Sequence, residues 1–259
     1  MEEADSDSSE GSPMAFMFDT AKKKDVKSFV FEEDQEIGTF AVDLKMIKGD
    51  PGHQQSGQYL WPASEANARY VLAHQAELGL VKRSLALVEL GAGCGLSGLA
   101  VSHLPNVHSV VLTDYDYGAL ELLEHNAAVC VKTYTCVREN TSVGDFITIE
   151  KYKWGADLSP RLTDKVKESG GELLLLGSDL IYCYTVCMPL FTSVKALLSL
   201  ASKESCFVLV SSFELKPEIE SVAVKSYTSL GLAVNEVISL NVEEKICRVQ
   251  IFSLASMSM

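Results

Sequence analysis

The feature that most constrains the fold of this 259-residue chain is a glycine-rich turn, Glu-Leu-Gly-Ala-Gly-Cys-Gly, at positions 89–95. The turn follows the apolar run Leu85–Leu90 and precedes a run with helical spacing that begins at Leu96. A strand, a glycine turn and a helix in this order are typical of a nucleotide-type site in a parallel α/β sheet. The glycines let the backbone approach a ligand closely, and the helix N-terminus offers unpaired N–H groups.

After this turn, apolar runs alternate with runs of helical spacing, which predicts a doubly wound, mostly parallel sheet. The predicted strands are Leu85–Leu90, Val107–Thr113, Lys132–Arg138, Glu172–Gly177, Cys206–Ser211, Ala233–Leu240 and Lys245–Phe252. The predicted helices are Leu96–Leu104, Asp116–Val129, Thr185–Ser202 and Pro217–Leu230. Residues Gly155–Gly170 show no clear periodicity and predict a surface loop. Residues 241–244 are too few for a parallel crossover, so the last strand runs antiparallel.

The part of the chain that precedes the sheet divides into a tail and a hairpin. Residues 1–25 are predicted to be a disordered acidic tail, because acidic and serine residues dominate its first thirteen positions. The remaining residues, 26–259, are expected to form one domain. Alternating apolar positions over Val26–Val42 predict a β-hairpin at its start. Ser64, with Pro62 ahead of it, predicts the N-cap of a helix that reaches about Leu78.

Charge, hydropathy and cysteine spacing argue against several classes of protein. The net charge of −13 provides no basic footprint for nucleic acid. No apolar run reaches the roughly 20 residues of a membrane-spanning helix, and the acidic N-terminus lacks the apolar stretch of a secretory signal. The seven cysteines contain no Cys-x-x-Cys pair and do not cluster with histidines, which argues against a metal site. We expect a cytoplasmic monomer, with the nucleus as a second location.

The glycines alone do not choose between two cofactors. Residues Gly93–Gly98 also match the dinucleotide pattern G-x-G-x-x-G, and Asp114 suits a ribose hydroxyl under either interpretation. Glu89, however, would repel a pyrophosphate, whereas it could accept from the ammonium group of S-adenosylmethionine. The final antiparallel hairpin also matches a seven-stranded methyltransferase sheet better than a six-stranded dinucleotide sheet.

Four motifs carry a resemblance to a known family. They are Leu-Trp-Pro-Ala at 60–63, Val-Glu-Leu-Gly-Ala-Gly-Cys-Gly-Leu at 88–96, Leu-Thr-Asp at 112–114 and Asp-Leu-Ile-Tyr at 179–182. In these motifs and their order, roughly residues 35–255 resemble the seven-β-strand non-histone protein lysine methyltransferases, also called methyltransferase family 16. The resemblance implies a Rossmann-like sheet, S-adenosylmethionine as cofactor, and a protein substrate such as a chaperone, translation factor or ATPase.

The resemblance also implies roles for nine residues. Trp61, Glu89, Gly91 and Gly93 would line the methionine end of the cofactor, and Asp114 would hold the ribose hydroxyls. Trp154 resembles the family's tryptophan beside the adenine. Ser178, which stands where the family often has alanine, would complete the pocket. Asp179 and Tyr182 match the D-x-x-Y motif and would lie beside the transferred methyl group, as the catalytic residues.

Asp179 and Tyr182 would have to bind the substrate's lysine side chain as an uncharged amine. Since a lysine has a pKa of about 10.4, exposing its lone pair at pH 7 costs about 4–5 kcal/mol in water, and a partly dry channel would lower that cost. We predict that Asp179 accepts a hydrogen bond from the amine and orients it, while Tyr182 supplies a ring wall and a hydroxyl acceptor.

Other interpretations stay open at the level of sequence. Asp114 could cap the helix that begins near Asp116, and Asp179 with Tyr182 could cap and pack the following helix. An idle cofactor-binding module, a methyltransferase for histidine or a small molecule, and an NAD-dependent oxidoreductase are the competing functions. The last of these lacks a tyrosine–lysine pair, because Val186 stands four residues after Tyr182.

Overall fold

The computed structural model describes residues 24–32, 37–48, 55–81, 83–133, 144–168, 170–242 and 245–255. These residues form a seven-stranded sheet with helices on both faces and a separate two-stranded hairpin. Residues 1–23 of the predicted tail lie outside the described ranges, and the first described strand begins at Lys24.

The elements are numbered in chain order. The strands are β1 Lys24–Phe31, β2 Phe40–Ile47, β3 Leu85–Leu90, β4 Val107–Asp114, β5 Ile147–Lys151, β6 Leu173–Ser178, β7 Cys206–Ser211, β8 Leu232–Val242 and β9 Lys245–Leu254. The helices are α1 Pro62–Ala73, α2 Leu96–Val101, α3 Tyr117–Thr133, α4 Pro160–Glu168, α5 Tyr184–Leu200 and α6 Pro217–Ser229. A short 3₁₀ turn covers Ser56–Gln58.

The strand order in the large sheet is β5-β4-β3-β6-β7-β9-β8. Strands β3 to β7 are parallel to one another, and β9 lies antiparallel between β7 and β8. The predicted fold class, a doubly wound seven-stranded sheet with an antiparallel last strand and an N-terminal hairpin, is therefore confirmed. Strands β4 and β5 follow β3 on one side, whereas β6 and β7 lie on its other side, so the strand order reverses between β3 and β6. Open α/β sheets bind ligands at the carboxyl edge of such a switch point.

Two apolar layers hold the helices to this sheet. Leu85 and Leu87 of β3 face a cluster that includes buried side chains of α1, α2 and α3, while Ala86 and Val88 face a cluster that includes those of α4, α5 and α6. The alternation follows from the two-residue period of a strand that is covered on both faces. Consecutive leucines in β6 are buried for the same reason.

Three predictions about the elements were wrong. The predicted strand 132–138 begins inside α3, its residues 134–138 lie outside the described ranges, and the strand of this region is β5. The predicted loop 155–170 contains α4, which buries Leu162 and Val166 one helical turn apart. Ser64 is not an N-cap, because α1 begins at Pro62 with Trp61 in the capping position, and the helix ends at Ala73 rather than near Leu78.

The N-terminal hairpin is fastened to the domain through α3. The side chain of Asn126 donates to the Lys45 carbonyl (3.0 Å) and accepts from the Lys45 N–H (2.8 Å), so it replaces a strand partner for β2. Phe29 and Phe31 of β1 are buried in the same cluster as α1 and α2. Among the described helices, none has both the length and the apolar character to cross a membrane.

Candidate active site

The predicted site residues converge on the carboxyl edge of the parallel strands. The glycine turn follows β3, Asp114 is the last residue of β4, and Ser178 is the last residue of β6. Trp154 lies three residues after the end of β5, and Trp61 directly precedes α1. Strand topology therefore brings together residues that are far apart in the chain.

The glycine turn is shaped by left-handed backbone conformations. Gly91, Gly93 and Gly95 have φ of 60°, 56° and 89°, a region that side chains disfavour. A Cβ on Gly91 would lie 2.8 Å from Cζ2 of Trp154 and 2.9 Å from Cδ2 of Leu180. The indole of Trp154 thus packs directly against the turn, which is compatible with its predicted place beside a bound adenine.

Asp114 is held at the mouth of the turn by backbone donors. Its Oδ2 accepts from the N–H of Gly93 (2.9 Å), and its Oδ1 accepts from Tyr115 (2.7 Å) and Asp116 (2.9 Å). Burial raises the pKa of this carboxyl group, and the three hydrogen bonds oppose that rise. The cap of α3 is supplied by Asp116, whose Oδ1 accepts from the N–H of Ala119 (2.9 Å). Asp114 is therefore not needed as the helix cap.

Glu89 lies behind the turn rather than in an open position. Its side chain is 1% exposed, and its two oxygens accept from Ser97 Oγ (2.7 Å) and from the N–H of Gly98 (2.9 Å). Both donors belong to the first turn of α2, so the carboxylate fixes that helix to β3. Ser97 Oγ lies 2.9 Å from Ser64 Oγ and 3.2 Å from Ser178 Oγ. This polar network links the glycine turn to α1 and to the end of β6.

The buried carboxyl group makes stability depend on pH in an uncommon direction. Burial raises the pKa of Glu89 from 4.5 to about 7, so between these values the folded protein holds a proton that the unfolded chain has lost. The part of the free energy of unfolding that depends on Glu89 is therefore greatest below pH 4.5 and is lost as the pH rises through about 7. The loss amounts to about 3 kcal/mol.

We expect Glu89→Gln, which stays neutral, to remove this part of the pH dependence. Its amide oxygen can accept from the Gly98 N–H while its NH₂ group donates to Ser97 Oγ, which is able to accept as well as donate. The measurement is urea unfolding of both proteins from pH 4.5 to 8. The exposed Glu124→Gln on α3 is the matched control and should follow the wild type. Equal pH slopes for Glu89→Gln and the wild type would contradict the assignment.

Asp179 occupies a strained and tightly bonded position after β6. Among the described residues other than glycine, it alone has a positive φ, 55°, and its side chain is 7% exposed. Its Oδ1 accepts from the N–H of Ser212 (2.7 Å) and its Oδ2 from Ser212 Oγ (2.6 Å). The N–H of Ala63 in α1 also donates to the carboxylate. Burial raises the pKa of Asp179, and these hydrogen bonds lower it in part. Strain of this kind persists where surrounding contacts enforce it, often at functional sites.

Tyr182 stands at the exposed rim of the same edge. Its side chain is 61% exposed. Partial burial of the hydroxyl, and then electrostatic interaction with Cys183 and Asp114, raise its pKa. The hydroxyl is therefore within electrostatic range of the carboxylate at the end of β4. Tyr182 and Asp114 thus lie at the same edge of the sheet.

A segment that sequence reasoning missed covers the glycine turn. A Cβ on Gly93 would lie 3.0 Å from the carbonyl oxygen of Gly57, and Cys94 Sγ is 3.3 Å from the carbonyl oxygen of Gln58. Trp61 is attached to this segment, since its Nε1 donates to the carbonyl of Ser56 (3.0 Å). The 3₁₀ turn thereby places Trp61 near the glycine turn while leaving the residue 38% exposed.

Two further polar residues belong to the site. Ser212 follows the apolar strand β7. The two consecutive serines at 211–212, at the end of an apolar run, are the sequence signal that could have indicated a polar site residue there. Asn67 in α1 is fully buried, and its Nδ2 donates to the Gly177 carbonyl (3.0 Å) and to Ser178 Oγ (3.2 Å). Its position inside a helix, without a partner visible in the sequence, provided no such signal.

The residues beside the glycine turn suit the predicted cofactor. Asp114 offers a carboxylate to hydroxyl donors at the turn, and the turn itself packs so closely against Trp154, Leu180 and the Gly57 carbonyl that Gly91 and Gly93 have no room for a side chain. Within the described residues, no group of three or more His, Cys, Asp or Glu side chains is placed to hold a metal ion. The roles of the nine individual residues toward the cofactor and substrate stay predictions.

Comparisons with known proteins give the family. The family model described as "Lysine methyltransferase" matches residues 43–227. The protein N-terminal and lysine N-methyltransferase EFM7 of Cryptococcus neoformans var. neoformans is 30% identical over 154 residues, in each of two strains. The match covers 59% of this chain and 47% of the relative, so the chain spans about half the length of the curated relatives it matches.

Two solved structures are similar to the chain at low sequence identity. A protein of the NADB-Rossmann superfamily from Streptococcus agalactiae is 10% identical, with a TM-score of 0.50, over 77% of this chain and 71% of that one. A putative tRNA (m1A22) methyltransferase from Streptococcus pneumoniae, in complex with S-adenosyl-L-methionine, is 11% identical, with a TM-score of 0.48, over 71% and 73%. Because the family model spans well over half of the chain, the protein belongs to the lysine methyltransferase family, with S-adenosylmethionine as its cofactor.

Proposed function

We propose that the protein transfers a methyl group from S-adenosylmethionine to the ε-amino group of a lysine in a non-histone protein. The observation that carries the proposal is Asp179, a buried carboxylate fixed by Ser212 and Ala63 at the carboxyl edge of β6. This position is separated from the glycine turn by one strand spacing, since β3 and β6 are neighbours. A family of lysine methyltransferases and a relative named for lysine methylation support the same chemistry.

The cofactor supplies a methyl carbon that is activated by a sulfonium centre. The protein's own task is to hold that group and to align the acceptor. Asp114 binds the ribose hydroxyls, Trp154 borders the adenine, and Trp61 closes the methionine end. Glu89 and Ser178 support the pocket from behind through Ser97.

Asp179 orients the incoming amine. A carboxylate has about four acceptor positions, and protein donors occupy three of them, two from Ser212 and one from Ala63. The remaining position accepts a hydrogen bond from the amine and directs its lone pair toward the methyl group. Tyr182 forms one wall of the entrance. Partial removal of water lowers the pKa of the lysine and so reduces the free energy of deprotonation.

The substrate is a folded protein of the chaperone, translation-factor or ATPase class, and the enzyme acts as a monomer in the cytoplasm, with the nucleus as a second location. The relative's name includes N-terminal methylation. An α-amino group has a pKa of about 7.7–8.0 and is more easily deprotonated than lysine. It is therefore the second candidate acceptor for the same carboxylate.

Thermal unfolding with added ligand tests the cofactor and excludes the oxidoreductase. S-adenosylhomocysteine at about 100 times its Kd should stabilise the protein by about 2.7 kcal/mol, which raises Tm by roughly 5–10 °C for a domain of this size. NAD at the same concentration should leave Tm unchanged. A shift with NAD alone would overturn the proposal.

Transfer of labelled methyl from S-adenosylmethionine to proteins of a cell lysate tests the acceptor. We expect the label in N-methyllysine after complete hydrolysis of the labelled protein. Label in methylhistidine or in an α-N-methyl amino acid would replace lysine as the acceptor. Binding of the cofactor without any transfer would identify an idle module.

A further inference from the structure

We infer that a groove beside Asp179 holds the substrate segment that flanks the target amine, and that it selects a basic residue next to an apolar one. This selectivity rests on the proposed function, because it assumes that the acceptor amine reaches Asp179. The groove consists of the loop after β7 and the first half of β9, and its walls include Phe213, Glu214, Leu215, Ile246 and Arg248. The cavity has a volume of about 390 Å³.

The groove adjoins the carboxylate that orients the amine. Its lining residues Ser211 and Phe213 flank Ser212, which makes both side-chain and backbone hydrogen bonds to Asp179. Ser211, the last residue of β7, pairs with Arg248. Residues 245–247 of β9 therefore extend past the carboxyl edge of the parallel strands, on the side where Asp179 lies.

This placement determines what crosses the groove. A lysine that points toward Asp179 anchors its own backbone within one side-chain length of the carboxylate. The residues that precede or follow the lysine must then pass over the adjoining surface. The groove is an open surface beside that entrance, so the flanking segment of the substrate is its occupant.

The chemistry of the walls specifies the flanking residues. Phe213 and Ile246 are 37% and 70% exposed, so they offer apolar surface to a side chain of the substrate. Arg248 is neutralised by Glu220, with 2.6 Å between Nη1 and Oε1. Glu214 is exposed and has no hydrogen bond or ion pair within the described part of the chain. Among the residues that line the groove, Glu214 therefore carries the one negative charge without a partner, which favours lysine or arginine beside it. Lys245, next to Ile246, is not a lining residue and interacts electrostatically with Asp179.

A positional library tests this selectivity. The probes are nonapeptides with acetylated N-termini, a fixed central lysine and one varied flanking position per pool, methylated with labelled S-adenosylmethionine. The wild type should favour pools with arginine or lysine at one flank position and a large apolar residue at another. Glu214→Lys should reverse the preference at the basic position and raise the KM of the best basic peptide about tenfold, with unchanged affinity for S-adenosylhomocysteine. Phe213→Ala should weaken the apolar preference.

Glu218→Lys is the matched control, since Glu218 is an exposed glutamate in the first turn of α6 and does not line the groove. It should retain the wild-type profile. An unaltered profile for Glu214→Lys overturns the inference and leaves the proposed function standing. Methylation of lysines in lysate proteins, but of no peptide pool, also overturns it, because recognition would then depend on other surfaces. If the wild type transfers no methyl group to any peptide pool or lysate protein, the proposed function itself is overturned.

Discussion

The Asp179→Asn variant is expected to bind S-adenosylhomocysteine as the wild type does and to transfer methyl groups about 10²-fold more slowly or worse. Asparagine tolerates the left-handed conformation of this position, where φ is 55°, nearly as well as aspartate. The fold should therefore survive the change. The amide has a single acceptor oxygen, whereas the carboxylate serves Ser212 and Ala63 and still has room for an amine.

Single-turnover methyl transfer to a protein that the lysate experiment identifies as an acceptor measures the rate. Thermal unfolding with added S-adenosylhomocysteine measures the binding. Asp164→Asn on the exposed side of α4 is the matched control and should transfer at the wild-type rate. Asp179→Ala is less informative, because alanine adds backbone strain at a positive φ. Wild-type transfer by Asp179→Asn would refute the orienting role.

Ser212→Ala should give an intermediate loss with a distinctive pH profile. The Ser212 hydroxyl donates to the carboxylate and lowers its pKa against the effect of burial. Removing that donor raises the pKa further, and Asp179 must be ionised to accept from the amine. The acidic limb of the pH–rate profile should thus move to higher pH, with Ser212→Thr restoring it.

The second large effect is expected at the glycine turn. Gly91→Ala should destabilise the protein by about 2–5 kcal/mol, because a left-handed alanine costs about 1–2 kcal/mol and overpacking about 1–3 kcal/mol. The new Cβ would approach Trp154 within 2.8 Å and Leu180 within 2.9 Å. Displacement of the indole should also weaken the binding of S-adenosylhomocysteine.

Gly38→Ala separates the two contributions. Gly38 has φ of 75°, and no atom of the described residues lies within 4 Å of where a Cβ would be, so its alanine variant should lose only the conformational part, about 1–2 kcal/mol. Urea unfolding measures the free energies, and calorimetric titration with S-adenosylhomocysteine measures the affinities. Equal destabilisation of the two variants would show that Trp154 does not press on the turn.

Strands with a strong local signal were predictable from the sequence. The bounds of β3 and β7 were predicted correctly, since both are short apolar runs that are buried along their whole length. Strand β5 was missed because only its first two residues, Ile147 and Thr148, are buried at the edge of the sheet. Helix α4 was missed because Leu162 and Val166 are its only buried residues among many charges.

The site shows the same division between local and tertiary information. A carboxylate before the glycine turn identified Glu89 from the sequence, but the direction of its side chain depends on where Ser97 and Gly98 lie. Likewise, the D-x-x-Y motif located Asp179, whereas its bond to Ser212 depends on the pairing of β6 with β7. The places of Glu89 and Asp179 in the chain were thus predictable from the sequence. Their hydrogen-bond partners depend on how the strands and helices pack.

The insertion of β9 between β7 and β8 has a consequence for synthesis of the chain. Strand β8 emerges from the ribosome before β9, yet its hydrogen bonds to the sheet run through β9. A nascent or truncated chain that stops after β8 would leave the edge of β7 open beside Ser212, and an open apolar edge is a template for aggregation. Loss of the last strand would therefore remove two strands from the sheet and expose the Ser212 side of the candidate active site.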